Sequence, residues 1–483
     1  MSEGKSKRQS NQYQRQNNSK KQSSLKFNPR WLFLGFGFSA IAVVSASIGA
    51  LLALSLSKTP LRQAQLTPAE EAVFNQEETV TFDSLQIPKL SRPVNILVLG
   101  IKVLTSDVPE QAHPDVGYHA LVNSFEGLSD SMLLLRFDPE KDNVVVLSIP
   151  RDTKTLIPQR GVTKINEANA LGGPALAAES VSNLLDDVSV DRYIRINIQG
   201  VEKLIDALGG LNIYVPENMK YTDHSQHLYI DLKQGQQHLD GEKAIQFLRF
   251  RYDAYGDIGR VQRQQSFMRA LVEQTLSPRT ILRMPDILNV VRSHLDTNLT
   301  TNELIALAAF AAQKNRSNVK MVMLPGDFNT PAEGELSYWL PNHDKISEVM
   351  AQHFEVGSNY FSANYQSDSH NLKIAVQSTK DDQEIAQKIV QYLKNNGYSR
   401  TYFSYNYYSH NLPETKIIAQ QGDNLAAAQL RADLGVGEVV VESTGVINSD
   451  VTIQVGSDWY KSHANPANDN ENNNENNFQT ISY

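Results

Sequence analysis

Length, composition and charge restrict the classes of protein to which this chain can belong. Its 483 residues suffice for two or three domains, and it has no cysteine, which excludes disulfides, thiolate nucleophiles and cysteine-bound metals. The net charge of −8 argues against nucleic acid as a partner, because binding nucleic acid requires a basic face.

The N-terminal segment predicts one membrane anchor. Residues 1–30 carry eight Lys or Arg residues against a single acid, Glu3, and residues 31–56 carry no charge at all. About 20 apolar residues suffice for a helix to cross a bilayer. The alternative is a cleaved signal peptide, whose apolar region is usually about 7–15 residues, shorter than this one. Because a basic flank stays inside, we expect a single-pass plasma-membrane protein with a cytoplasmic N-terminus and extracytoplasmic C-terminal domains.

A globular domain is predicted after a mixed, proline-containing juxtamembrane linker over residues 57–93. Short apolar runs are typical of strands buried on both faces, and the intervening amphipathic runs are typical of helices. Their alternation favours an α/β layered domain that extends to residue 355. The strands are predicted at 94–100, 131–137 and 143–150, and the helices at 173–188, 261–276 and 302–313.

A second, smaller α/β unit is predicted after a polar joint at residues 356–371. It runs over residues 372–459, with strands at "LKIAVQS", "TYFSYNYY", "EVVVEST" and "VTIQVG" and helices near 381–397 and 423–434. The Asn-rich tail at 460–483 has too few apolar residues to fold, so we expect it to be disordered. We expect the small unit to be a separable accessory domain.

Four arginines lie close together in "FLRFRYDAYGDIGRVQRQQ", residues 247–265. A strand over "QFLRFRY" would place Arg249 and Arg251 on one face, and a helix after the turn would place Arg260, Arg263 and Gln264 on one face. Such guanidinium groups suit bidentate binding of phosphate oxygens, and a pyrophosphate is the simplest ligand that would use several of them. The alternative is a set of solvated surface charges, or pairs with Asp253 and Asp257.

Two further charged residues lie at predicted strand ends. Arg151 in "SIPRDT" directly follows a strand, and ligands of α/β sheets gather at the carboxyl ends of strands. Asp130 in "GLSDSMLLL" precedes another strand. A lone aspartate there is more often a cap than a ligand, but Mg²⁺ is typically held by one or two carboxylates together with phosphate.

Several motifs resemble those of the LytR-CpsA-Psr family, in the family's order and over residues 94–355. The unit after residue 372 is similar to the LytR C-terminal domain that often follows. The resemblance implies a mixed central sheet flanked by helices and an apolar tunnel for a lipid, for which "LIALAAFAA" and "ILNVV" are candidate walls or plain core. The motifs are "NILVLG", "LSDSMLLLRFDP", "VVVLSIPRDT", "KINEANALGG", "LIDALGGLNIYV", "GQQHLDGEKAIQFLRFR" and "GDIGRVQRQQ".

The resemblance also implies a function: transfer of a glycopolymer sugar-phosphate from a polyprenyl-pyrophosphate carrier to peptidoglycan at the membrane. The site residues that it implies are catalytic Asp130, Arg151, Arg249, Arg251, Asp257 and Arg260, and substrate-binding Gln264, with Asp130 on the metal side. Arg263 joins the substrate-binding set by its place on the predicted helix face.

Two positions depart from the family's pattern. Lys102 stands where members commonly have an aspartate, and Leu128 stands where they commonly have an arginine. Use of Mg²⁺ therefore stays open; Lys102 could supply positive charge at the substrate, or Asp107 could supply a carboxylate.

Two other functions also stay open, a pyrophosphatase acting on the same lipid and a non-catalytic protein that binds the lipid carrier. The outer net charge of −15, which is −8 less the +7 of the flank, disfavours a transcription regulator.

Overall fold

The computed structural model describes much of the chain between residues 61 and 459, and the described residues belong to one compact unit. No helix in this described part is long and apolar enough to cross a membrane. The predicted anchor, the basic tail and the Asn-rich tail all lie outside it. The described ranges are 61–82, 88–102, 125–224, 228–250, 256–275, 280, 283–315, 318–329, 336–357, 371–378, 383–404, 412–422, 424–442, 444–446 and 449–459, with backbone alone at Lys102 and 256–262.

The strands fall into a larger N-terminal set and a smaller C-terminal set. In chain order they are β1 Val80–Phe82, β2 Pro88–Leu90, β3 Val94–Lys102, β4 Leu128–Asp138, β5 Asn143–Ile149, β6 Lys154–Ile157, β7 Gly161–Lys164, β8 Arg192–Asn197, β9 Leu211–Val215, β10 Met219–Asp223, β11 Leu228–Leu232, β12 Gly235–Leu239, β13 Leu295–Thr297, β14 Val319–Met323, β15 Gly326–Phe328, β16 Trp339–Pro341, β17 Ile374–Gln377, β18 Thr401–Phe403, β19 Lys416–Ala419, β20 Glu438–Val440 and β21 Val451–Gln454.

The helices alternate with these strands. They are α1 Pro68–Glu71, α2 Glu167–Leu184, α3 Ile198–Leu208, α4 Gly241–Arg249, α5 Gly256–Thr275, α6 Met284–His294, α7 Thr301–Ala312, α8 His343–Val349, which continues as the π-helix Met350–Phe354, α9 Gln383–Asn395 and α10 Asn424–Leu434. The predicted α/β class, with helices flanking a mixed sheet, is confirmed.

A six-stranded mixed sheet forms the centre, in the order β13-β8-β3-β4-β5-β14. β3 pairs in parallel with β8, and β5 pairs in parallel with β14, whereas β4 is antiparallel to both of its neighbours. The carboxyl ends of β3, β5, β8 and β14 therefore lie at one edge of the sheet, together with the start of β4. We call this edge the site edge.

Helix α2 covers one face of this sheet, and its sequence explains its shape. Non-helical backbone at Gly172 and Gly173 divides it in two, and Pro174 begins the second part. Proline suits the first turn of a helix, where its missing N–H is not needed. The following Ala175, Ala177 and Ala178 are buried, so small side chains bring the helix close to the sheet.

The predicted strand over "QFLRFRY" is wrong, because residues 241–249 form helix α4. The Asp240 side chain accepts a hydrogen bond from the Lys243 N–H at 2.9 Å, which caps the helix start. Ala244 and Phe247 are buried three residues apart, so they lie on the same helix face. The alternation of Phe and Arg extends over too few residues to form a strand. The helix cap at Asp240 and the helical spacing of buried residues before it determine the structure instead.

The predicted juxtamembrane linker at 57–93 is largely part of the fold. Thr67 and Glu70 form a capping box at α1, and the Phe74 ring lies 5.3 Å from the Tyr193 ring. Leu61 packs against an apolar cluster formed by Ile196, Val291 and Leu295. The segment that follows the predicted anchor is thus held on the domain from its first described residue.

The C-terminal unit is a five-stranded sheet in the order β18-β17-β21-β19-β20. Strand β19 has no counterpart among the predicted strands. The unit contacts β14, the last strand of the central sheet. The N–H groups of Met321 and Met323 donate to the carbonyls of Val441 and Gln420, each at 2.9 Å. These bonds cover part of an edge that would otherwise present unpaired backbone groups.

Candidate anion-binding site at the site edge

A cavity opens at the site edge between the ends of β4 and β5 and helix α5. Its volume is about 670 Å³, which includes space open to solvent. Both predicted residues at strand ends, Asp130 and Arg151, line it, as does Gln264 from α5. The described lining is Asp130, Ser131, Met132, Leu133, Ser148, Ile149, Pro150, Arg151, Asp152, Gln264, Gln265, Met268, Met323 and Phe328.

Arg151 is held by two carboxylates on the wall of this cavity. Its Nη1 donates to Asp130 Oδ1 at 2.6 Å, and its Nε donates to Asp152 Oδ2 at 3.3 Å. A backbone turn fixes the position, since the Thr153 N–H donates to the Pro150 carbonyl and the Asn166 N–H donates to the Arg151 carbonyl. The guanidinium plane is therefore oriented before any ligand arrives.

The electrostatics keep Arg151 charged. Burial lowers the pKa of its guanidinium, but the carboxylates of Asp130 and Asp152 outweigh that effect and raise the pKa overall. Lys164 Nζ donates to Asp152 Oδ1 at 2.8 Å. Two carboxylates and two cations thus alternate along this wall, and an anion that approaches Arg151 meets a cation at any physiological pH.

Helix α5 supplies the facing wall. Gln264 and Gln265 line the cavity, and Gln265 Nε2 lies 3.1 Å from Met323 Sδ at the end of β14. Arg263 is placed differently from the prediction. It is 4% exposed, donates from Nη2 to the Phe250 carbonyl, and its guanidinium carbon lies 5.6 Å from the Phe250 ring centre. Arg263 therefore holds the α4–α5 connection, because helical spacing turns it towards the core beside buried Phe267.

The remaining predicted site residues are described only in part. Arg249 is the last residue of α4 and is partly buried. Asp257 and Arg260 lie in the first turns of α5 by their backbone, with side chains outside the described residues, and Arg251 lies wholly outside. α4 and α5 contact each other, and α5 carries Gln264 at the cavity, so the sequence cluster does belong to this part of the molecule.

The two departures from the family pattern are cross-strand partners. In the β3–β4 ladder Lys102 pairs with Leu128, beyond a bulge between Gly100 and Ile101. Asp130 lies two residues further along β4. Both departures therefore lie at the site edge, in register with one another.

Besides the lining serines Ser131 and Ser148, three polar or charged residues of the site were missed by sequence reasoning. Asp152 and Gln265 line the cavity, and Lys164 binds Asp152. Asp152 follows Arg151 in "SIPRDT", and Gln265 follows Gln264, so adjacency to predicted residues was a usable signal. Lys164 had none, since the β6–β7 hairpin alone brings it back to the site.

The described residues do not favour a resident Mg²⁺. No group of three or more His, Cys, Asp or Glu residues suited to a metal occurs among them. Asp130 and Asp152, the carboxylates of the cavity, are each engaged by Arg151, and Asp152 also by Lys164. Mg²⁺ would have to displace these cations, so the carboxylates that the structure describes at this cavity do not fit the ion.

The fold and the site define a mixed α/β protein in which a cavity, lined by an oriented arginine and two carboxylates, lies where parallel strands end. Comparison with known families agrees. Residues 61–355 match the LytR_cpsA_psr family, and residues 371–459 match a domain described as LytR cell envelope-related transcriptional attenuator. Since the first match spans more than half of the chain, this protein belongs to the LytR_cpsA_psr family.

Known relatives share this region. The polyisoprenyl-teichoic acid–peptidoglycan teichoic acid transferase TagU of Bacillus cereus is 28% identical over 333 residues, which cover 67% of this chain and 94% of the relative. The protein of the same name from Bacillus anthracis is 30% identical over 274 residues, covering 55% and 80%. The crystal structure of Bacillus subtilis TagV is 25% identical with a TM-score of 0.45, covering 55% of this chain and 98% of that one.

Proposed function

We propose that this protein is a phosphotransferase that moves a glycopolymer from a polyprenyl-pyrophosphate carrier to peptidoglycan. Two relatives that share 333 and 274 residues with this chain carry the name of a transferase with this type of donor and acceptor. The observation that supports it most directly is Arg151, oriented by two carboxylates on the wall of a cavity at the site edge.

Arg151 has hydrogen-bonding capacity left for a phosphate. Nε and Nη1 are taken by Asp152 and Asp130, and Nη2 makes no hydrogen bond within the described residues. A pyrophosphate oxygen placed at Nη2 gains a charge-assisted bond without reorientation of the guanidinium. Arg249, Arg251 and Arg260 are proposed to supply the remaining positive charge, and Gln264 a neutral donor.

The same cavity has an apolar side suited to a polyprenyl chain. Leu133, Met268 and Met323 line it. Around them the sheet face continues through Leu135 and Phe137, large apolar side chains that are only partly buried, and Phe310 of α7 packs against this cluster. A prenyl chain lying there would bury this surface, with its pyrophosphate at Arg151.

The proposed reaction is a displacement at phosphorus. An acceptor hydroxyl oxygen bonds to the phosphorus that carries the glycopolymer, while the bond from that phosphorus to the bridging oxygen breaks. Polyprenyl phosphate leaves with the electron pair, and the hydroxyl proton passes to a carboxylate, for which Asp130, Asp152 and Asp257 are the candidates. Arg151 neutralises charge that grows on the phosphoryl oxygens, which is the main requirement of phosphoryl transfer.

The proposed function also implies where the protein lies in the cell envelope. The charge-free run at 31–56 is proposed as a single membrane span with the N-terminus in the cytoplasm, which places the site outside the plasma membrane, where peptidoglycan lies. Protease added to intact spheroplasts should then digest the C-terminal unit. Digestion of the basic tail alone would contradict this orientation.

Arg151→Ala tests the proposal, with Arg400→Ala, an exposed arginine of the C-terminal unit, as the matched control. With a polyprenyl-pyrophosphate glycan and peptidoglycan fragments, Arg151→Ala should reduce transfer about 10- to 150-fold, the loss expected for a charged hydrogen bond of about 1.5–3 kcal/mol. The control should transfer at the wild-type rate. A folded Arg151→Ala variant that transfers at the wild-type rate would contradict the role of Arg151.

The same assay separates the two other functions. A pyrophosphatase would release glycan phosphate at the same rate with or without peptidoglycan fragments, and would form no linked product. A carrier-binding protein without activity would retain the lipid but release no polyprenyl phosphate.

A further inference from the structure

An exposed ribbon of short strands projects from the site edge directly after Arg151. β6 and β7 form an antiparallel hairpin in which Lys154 pairs with Lys164 and Leu156 pairs with Val162. Paired residues and alternate residues share a face of a β ribbon, so these four side chains lie on one face. β16 lies beside the start of β6, since the Trp339 N–H donates to the Asp152 carbonyl and Trp339 bridges Thr153 in parallel.

This face is unusual because its large aliphatic side chains are exposed. Leu156 is 59% exposed, Val162 is 60% exposed, and Leu340 on β16 is 42% exposed. The opposite face is ordinary core, with Ile157 fully buried. Clustered aliphatic side chains on a surface mark a site of interaction rather than a requirement of the fold.

Cations accompany these aliphatic residues. Nζ of Lys154 and Nζ of Lys164 lie 5.5 and 5.6 Å from the ring centre of Tyr338, which precedes β16. Lys164 is paired with Asp152, whereas Lys154 has no carboxylate within 4.0 Å among the described residues. Arg160, at the turn of the hairpin, is exposed. Asp327 of β15 is the cross-strand partner of Leu340. Its carboxylate oxygen Oδ2 lies 4.0 Å from Nζ of Lys373.

The direction in which the chain enters the domain gives a second, independent indication. Leu61 packs against Ile196 near the end of β8 and Leu295 at the start of β13, both close to the site edge. If the span ends at Leu56, five residue steps separate it from Leu61, a reach of about 17 Å at most. A span that ended there would keep the bilayer surface within that reach of Leu61.

We propose that the ribbon face formed by Lys154, Leu156, Val162, Tyr338 and Leu340 rests on the surface of an anionic phospholipid bilayer. Aliphatic side chains enter the boundary between headgroups and acyl chains, and lysines remain at the anionic headgroups. A glycan acceptor would instead favour several flat aromatic rings and hydrogen-bonding groups, and this face carries a single such ring. The contact would hold the cavity of Arg151 at the level where a lipid-linked pyrophosphate is presented.

The absence of cysteine makes a direct test possible in the full chain. Val162→Cys places a single thiol on the ribbon, and Glu140→Cys places one in the exposed β4–β5 turn at the opposite edge of the sheet. Each is labelled with an environment-sensitive dye and reconstituted into vesicles of phosphatidylcholine, with or without phosphatidylglycerol, that contain spin-labelled lipid. The dye at 162 should be quenched and blue-shifted, and more so with phosphatidylglycerol, whereas the dye at 140 should not respond.

A charge variant tests the lysine contribution. Lys154→Gln in the Val162→Cys background should lower the ratio of shielded to exposed dye about fivefold in anionic vesicles, the change expected for one lysine near such a surface. It should have little effect in vesicles of phosphatidylcholine alone. Because no transfer reaction is measured, the result does not depend on the proposed function.

Two outcomes would overturn the proposal. Equal, unquenched emission from positions 162 and 140 in every vesicle would show that the ribbon stays in water. Shielding of position 162 by soluble peptidoglycan fragments, without shielding by lipid, would assign the face to the acceptor instead.

Discussion

At the scale of single residues, the pairing of Lys102 with Leu128 is the most specific feature of this chain. The aspartate and the arginine expected from the resemblance are replaced at two positions that face each other across the β3–β4 ladder. An acid–base pair is thus exchanged for a lysine and a leucine, and the formal charge of the pair changes from zero to +1. We expect positive charge at this position to reduce the need for a metal at the site edge.

Lys102→Asp is therefore expected to make transfer more dependent on Mg²⁺. An aspartate there would add a carboxylate two positions from Asp130, and Mg²⁺ accepts one or two carboxylates together with phosphate. The measurement is a Mg²⁺ titration of transfer for the wild type, for Lys102→Asp and for the exposed control Lys220→Asp. Strong and identical metal dependence in all three would contradict charge replacement and direct attention to Asp107.

Buried His353 is expected to make stability depend on pH where the larger domain meets the C-terminal unit. It lies in the π-helix after α8, 3% exposed, and its Nε2 is close to Gly422 of the C-terminal unit. Burial, together with Lys320 and Lys141, lowers its pKa from 6.5 to about 4, although Gly422 acts in the opposite direction. The folded state thus keeps this ring neutral where the unfolded chain would protonate it.

Between pH 6.5 and pH 4 the unfolded state therefore binds more protons, and the free energy of unfolding should fall as the pH falls. The full effect is up to about 3 kcal/mol for a shift of this size. His353→Gln should flatten the slope of unfolding free energy in this window, measured by denaturant titration at several pH values. The exposed control His343→Gln should retain the wild-type slope, and an unchanged slope in His353→Gln would disprove the assignment.

At the scale of elements, the arginine-rich segment shows how far local patterns determine structure. The helix predicted at 261–276 is present as the greater part of α5, because its helical periodicity extends over many residues. The preceding "QFLRFRY" alternates for only a few residues, and the cap at Asp240 makes it the end of α4. Arg249 consequently ends a helix, and Arg263 holds the connection to α5 from inside. Spacing predicted that the arginines would be close together but not the direction in which each one points.

At the scale of the whole molecule, the C-terminal unit is tied to the wall of the site. Gln420 binds the backbone of Met323, which lines the cavity, and Glu442 pairs with Arg269 of α5 at 3.2 Å. Both contacts hold elements that carry lining residues, Met323 on β14 and Met268 on α5. The unit predicted as separable therefore has a direct means of influencing substrate binding.

A chain that ends at residue 357 should unfold at a lower temperature than the corresponding part of the full chain, because the outer edge of β14 is then open to solvent and to other chains. In the full chain, Glu442→Gln should weaken donor binding, seen as a higher KM with little change in kcat, since the reacting groups are untouched. Glu438→Gln, at the exposed first residue of β20, is the control. Wild-type KM in Glu442→Gln, together with unchanged stability of the shortened chain, would show that the unit is independent.

Local sequence determined the α/β class, three of the six strands of the central sheet and the long helices, because each is encoded in short-range periodicity. Asp130, Arg151 and Gln264 meet at one cavity as their positions predicted. Tertiary structure decided the rest. Asp152 and Lys164 form an ion pair because a hairpin folds back, and Lys102 faces Leu128 because two distant strands share a register. Such contacts depend on pairing between segments far apart in the chain, and no local pattern records which segments pair.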